Sequence, residues 1–150
     1  MKFMKIKAAI AVTISFAAIV MFNSATGAQE ESRSVWDGVY NEEQTKRGEA
    51  LYDRECASCH KPDLSGADEI AALAGPAFLA NWEGLTIGDL SERVRVSMPP
   101  NKPGRLSRQQ IADILCHVLS VNGFPAGKTE LDPKIETLKL IRIEATKPKE

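Results

Sequence analysis

Two cysteines and a histidine stand together at Cys56-Ala57-Ser58-Cys59-His60. Thiols at i and i+3 fall on one side of a helical turn, where both can add to the vinyl groups of a single porphyrin. A histidine directly after the second cysteine then faces the iron. The residues form a complete attachment site for one c-type haem, with Cys56 and Cys59 as covalent anchors and His60 as an axial ligand. A CxxC pair also serves as a disulfide or a thioredoxin-like redox couple. That couple sits after a strand in a βαβ unit, whereas Asn41 to Arg54 reads as helix and strand-like alternation is almost absent before residue 138.

The second axial position decides between an electron carrier and an open, reactive iron. Met1, Met4 and Met21 lie in an N-terminal segment that reads as a cleavable signal, which leaves Met98 as the one thioether of the mature chain. A solitary methionine is usually core filler, but Met98 precedes Pro99-Pro100, a rigid backbone suited to presenting sulfur to a metal. His117 is the competing ligand. On a helix it lies about 130° from the centre of the apolar stripe at about 100° per residue, a boundary position. Cys116 and His117 diverge too far around a helix to complete a zinc site with Cys56 and Cys59. Cys116 reads as an inert, semi-buried thiol that would cross-link two chains only if exposed.

The elements that must position these groups follow from capping and periodicity. A charged helix runs from Glu42 to Glu55, acids first and Lys46 and Arg47 after them. Gly48 inside it marks a close approach by another backbone or a large side chain. Lys61 to Glu69 is loop-like, Ile70 to Ala74 is a short apolar run ended by Gly75-Pro76, and Phe78, Leu79 and Trp82 form an apolar cluster. Thr86 with Asp89 caps a second helix that carries Ile87, Leu90, Val94 and Val96 on its apolar face and stops at Met98-Pro99-Pro100. Ser107 with Gln110 caps a third, whose Ile111, Ile114, Leu115, Val118 and Leu119 form one stripe ending at Asn122-Gly123.

The flanks are less defined. Residues 29–41 read as an extended or turn-rich lead-in that packs on the body through Val35, Trp36, Val39 and Tyr40. Residues 128–150 read as an extended wrap with Leu138, Leu140 and Arg142 alternating against Lys139, Ile141 and Ile143. Residues 1–28 have the form of a secretory signal: Lys2, Lys5 and Lys7, the apolar run Ala8 to Phe22, then small residues up to Ala28. Fifteen apolar residues are short for a membrane span of about 20, so no span is expected after cleavage, and an extracytoplasmic, periplasmic location follows. The formal charge of −1 for 150 residues becomes −4 without the signal, which gives no reason to expect nucleic acid and favours docking on a basic patch of a partner. With 43% hydrophobic and 26% charged residues, the chain holds one ordinary domain core.

With CASCH, the helix before it, the Met-Pro stop and the C-terminal helix in this order, residues 42–127 resemble the class I cytochromes c. The likeness is to the small bacterial ones and the cytochrome domains of quinoprotein alcohol dehydrogenases. The resemblance implies an all-α fold of three to five helices around one covalently bound haem. It makes Gly48 and Tyr52 the pair that packs on the C-terminal helix, and Met98 the distal ligand. The family's Pro-x-Leu-x-Gly segment corresponds to Ala71-Ala72-Leu73-Ala74-Gly75, in which the carbonyl of residue 71 accepts a hydrogen bond from His60 and Leu73 contacts the haem. Alanine in place of proline leaves that loop less rigid. Trp82 is implied to donate its indole N–H to a haem propionate, with a plain core tryptophan as the alternative. His117 stands where the family has an aromatic, which implies partial burial at the helix joint. The function implied is single-electron transfer, not enzymatic catalysis, between partners such as a periplasmic dehydrogenase and an oxidase. The alternative is a haem enzyme or gas sensor whose sixth position is open or displaceable.

Overall fold

A computed structural model describes residues 31–149 of the chain; the segment read as a signal lies outside them. The order of elements is β1 (Arg33–Ser34), a 3-10 turn (Val35–Asp37), α1 (Glu42–Glu55), α2 (Ala57–His60), α3 (Gly75–Trp82), α4 (Ile87–Ser97), α5 (Arg108–Val121), α6 (Ile135–Leu138) and β2 (Ile141–Arg142). The fold is all-α in character, as expected. Four helices have eight residues or more, and α2 and α6 are single turns.

The caps foreseen from sequence form in full. Thr86 and Asp89 exchange side-chain and backbone bonds at the start of α4, and Ser107 and Gln110 do the same for α5. Asn41, whose side chain accepts from the Gln44 N–H, starts α1 ahead of Glu42 and Glu43, placing negative charge at the positive end of the helix dipole.

Helix α1 crosses α5 at Gly48. A Cβ there would overlap the Asp113 carbonyl and press on His117 Cβ at 3.2 Å, so only glycine permits this crossing. The buried face of α1 is Gln44, Gly48 and Tyr52, one residue per turn. Nine consecutive residues of α5, Ile111 to Leu119, are buried, although their pattern predicts a one-sided stripe. A helix is covered all round only when a second layer packs on its far side.

That cover comes from α4, which packs on α5, and from the two flanks, which pair with each other and close over α4. β1 pairs with β2 in parallel, Arg33 opposite Ile141. Val35, Val39 and Tyr40 of the lead-in and Leu131, Leu138, Ile141 and Ile143 of the tail join one hydrophobic cluster with α5. The Gln44 amide bonds both the N–H and the C=O of Leu131, at 2.7 and 3.1 Å. The Trp36 indole donates to the Glu144 carbonyl.

Three expectations are corrected. Gly75-Pro76 opens helix α3, where proline occupies the first turn, because a missing N–H costs nothing at a helix start. The tail buries residues 138, 141 and 143, not 138, 140 and 142, because the α6 turn shifts the alternation by one position. Val96 is 57% exposed: the face of α4 turned to the core carries Ile87, Leu90, Ser91 and Val94, and a residue two positions from Val94 points the other way at about 100° per residue.

Candidate haem-attachment site

Cys56 is the C-terminal cap of α1, and α2 begins in the next residue. The His60 and Cys59 N–H groups donate to the Cys56 carbonyl at 2.9 and 3.1 Å, so Cys56, Cys59 and His60 share one turn of backbone. Both thiols are free, Cys59 exposed and Cys56 half-buried. Burial, reinforced by Cys59 alongside, pushes the Cys56 thiol up to about 11.

His60 Nδ1 lies 2.8 Å from the Ala71 carbonyl. The bond holds the ring by Nδ1 and leaves Nε2 as its free ligand atom, the arrangement that orients metal-bound histidines. The Tyr52 hydroxyl donates to the Lys61 carbonyl at 2.7 Å, fixing the residue after His60. Burial pushes the Tyr52 phenol well above its ordinary value, with Cys56, Asp63 and Asp53 adding to the shift, which keeps it a neutral donor.

The loop bearing Ala71 is braced from α5. Asn122 donates to the Leu73 carbonyl and accepts from the Gly75 N–H, both at 2.9 Å, and the Leu73 N–H donates to the Leu64 carbonyl. These bonds tie the loop to the end of α5. Sequence reading takes Asn122-Gly123 only as a helix stop and misses this brace; an amide at a helix end beside a proline-poor loop is the available signal.

Leu73 and Trp82 are half-buried, Trp82 at the last position of α3, and its indole N–H meets no acceptor among the described residues. Met98 is half-buried at the C-terminal cap of α4, its N–H donating to the Val94 carbonyl. His117 is 9% exposed, with its ring 5.3 Å from that of Tyr52. Its burial at the α1–α5 joint follows the resemblance and overturns the boundary position given by periodicity. Cys116 is fully buried, more so than its pattern indicates, because the flanking layer covers that side of α5. No group of metal-binding residues that would make a zinc site is present among the described residues.

The half-buried apolar residues are unevenly placed. Apart from Trp36 and Leu51, those packed on the core (Cys56, Ala57, Leu73, Ala74, Leu79, Trp82 and Val94) fall between Cys56 and Val94. That is the stretch leading from the paired thiols to Met98. Incompletely covered apolar side chains beside two free thiols and an oriented imidazole suit a flat apolar macrocycle.

These features define a cytochrome c domain. The family model described as "Cytochrome C oxidase, cbb3-type, subunit III" matches residues 43–118, half of the chain, and the chain belongs to that family. Membership implies a covalently bound haem c and redox partners, and the residues present fit that cofactor. Among solved structures the chain is similar to "Crystal Structure of the Sulfane Dehydrogenase SoxCD from Paracoccus pantotrophus", with 25% identity over 60% of this chain and 53% of that one, at a TM-score of 0.43. No curated relative matches. No helix among the described residues is long and apolar enough to cross a membrane.

Proposed function

We propose that the protein is an exported, periplasmic carrier of single electrons that holds one haem c through Cys56 and Cys59, with His60 and Met98 as axial ligands. Residues 1–28 are then the cleaved signal, 42–127 the cytochrome domain, and 29–41 and 128–150 its flanks. The observation that carries the reading is the His60–Ala71 bond, which leaves Nε2 as a preset ligand within the turn that bears both thiols. Bound there, iron supplies one-electron chemistry between Fe(II) and Fe(III), and a thioether ligand favours Fe(II) and raises the potential.

The chain's own residues then anchor, orient and shield. Ala71 fixes the imidazole plane. Leu73, Leu79 and Val94 present apolar surface that keeps water from the ring, and Trp82 offers an indole N–H for a propionate. With both axial positions filled there is no site for a substrate, so the role is transfer and not catalysis.

Partners are other redox proteins, a periplasmic dehydrogenase as donor and an oxidase as acceptor. The acidic surplus does not extend to Met98: residues 93–108 carry Arg93, Arg95, Lys102, Arg105 and Arg108 and no acid. A partner docking on that side would meet positive charge.

The visible spectrum of protein matured with haem c tests the reading. Split bands on reduction and a weak methionine-to-Fe(III) band on oxidation are expected, and Met98→Leu should abolish the weak band and open the reduced protein to carbon monoxide. Rapid carbon monoxide binding by the unsubstituted protein would overturn it.

A further inference from the structure

We propose that Glu55 and Arg105 form a positioning clamp that locks the segment carrying Met98 to the segment carrying Cys56 and His60. The proposal rests on the His60/Met98 reading above.

Glu55 is the last residue of α1 and the immediate neighbour of Cys56. Its side chain is only 5% exposed, yet it is a carboxylate. Arg54 donates to one of its oxygens at 2.9 Å, and the Arg105 guanidinium pairs with the other. Arg105 belongs to residues 99–106, the connection between α4 and α5 that leaves directly from Met98. Among the described residues, no other hydrogen bond or ion pair ties 99–106 to a different part of the chain. The Lys102–Pro99 bond is internal to it, and the remaining anchor is apolar, through buried Leu106.

The energetics favour a clamp over an incidental surface pair. Exposed ion pairs contribute little, and Arg95 and Arg108 make such pairs with Glu92, which is 31% exposed. Glu55 differs because its carboxylate is removed from water. Taking Arg105 away leaves that charge poorly compensated, and the local structure must open to solvate it. The segment that would move is the one that holds Met98. A neutral thioether competes with outside ligands mainly because it is already in place, so a looser segment weakens it.

The test uses full-length protein matured with haem c and imidazole as the competing ligand, its binding to Fe(III) followed by the Soret shift and by loss of the methionine band. Arg105→Gln and Glu55→Gln should each raise imidazole affinity about tenfold, on the order of 1.4 kcal/mol. The double substitution should add little to either single one, and Arg105→Lys should restore most of the original behaviour. Arg108→Gln, with the same change in net charge, should leave the affinity unchanged. Imidazole affinity in Arg105→Gln and Glu55→Gln equal to that of the unsubstituted protein would overturn the clamp alone. Absence of the methionine band from the unsubstituted protein would overturn the axial reading and the clamp with it.

Discussion

His117 carries the most consequence of any single side chain outside the attachment turn. It is an imidazole buried at the helix joint, and burial holds its pKa below the ordinary histidine value, against the opposing pull of Glu49 and Asp53. A lowered folded pKa means that the unfolded chain takes up the proton first as pH falls. Stability is therefore full above the ordinary value near 6.5 and declines as pH drops from there toward the folded pKa. Thermal midpoints measured between about pH 8 and pH 5 should show that decline, and His117→Tyr should flatten it. The same substitution should raise the midpoint near neutral pH by placing a larger apolar ring against Gly48 and Tyr52; no rise would count against this view of the packing. Asn122 is the second such residue. Asn122→Ala strands the Leu73 carbonyl and the Gly75 N–H, and should lower stability by about 2 kcal/mol in denaturant unfolding.

Among the elements, α1 and α5 form the joint on which the attachment turn is mounted. Gly48→Ala would drive a methyl group into the Asp113 backbone, and the cost should reach about 3 kcal/mol, seen as an earlier unfolding midpoint. The joint was legible in the sequence, because a lone glycine weakens a charged helix unless a neighbouring backbone needs the room. So were the caps at Thr86 and Ser107, which depend on contacts within four residues, and the thiols and imidazole of one turn. Helix α3 was not legible: Gly75-Pro76 can end one helix or open another, and the choice is made by Asn122, 47 positions away. The full burial of Cys116 was hidden for the same reason, since periodicity within α5 carries no trace of what covers its far side, whereas the burial of His117 against α1 was implied by the family resemblance and not by periodicity. Glu55 looked like one more charge on a charged helix; its pairing with Arg105, arriving from another loop, is not visible in the local pattern.

At the scale of the molecule, the lead-in and tail pair with each other as an outer layer, and the tail closes over the start of α4 as part of the same hydrophobic cluster. Ile141 is 1% exposed there, so Ile141→Ala should cost about 3 kcal/mol. Because that layer is built from residues remote in the chain from the Cys56–His60 turn, the visible spectrum should be unchanged while the thermal midpoint falls. A spectral change on this substitution would show that the layer also supports the attachment turn.

The parallel pairing of residues 33–34 with 141–142 also sets an order of assembly. The backbone bonds of the attachment turn itself run between neighbours, from Cys59 and His60 to Cys56. The strand that closes the outer layer arrives about eighty residues later, and contacts so distant along the chain form slowly. The thiols therefore sit on a turn whose own backbone bonds are local, while closure of the outer layer depends on pairing between the two ends of the described chain.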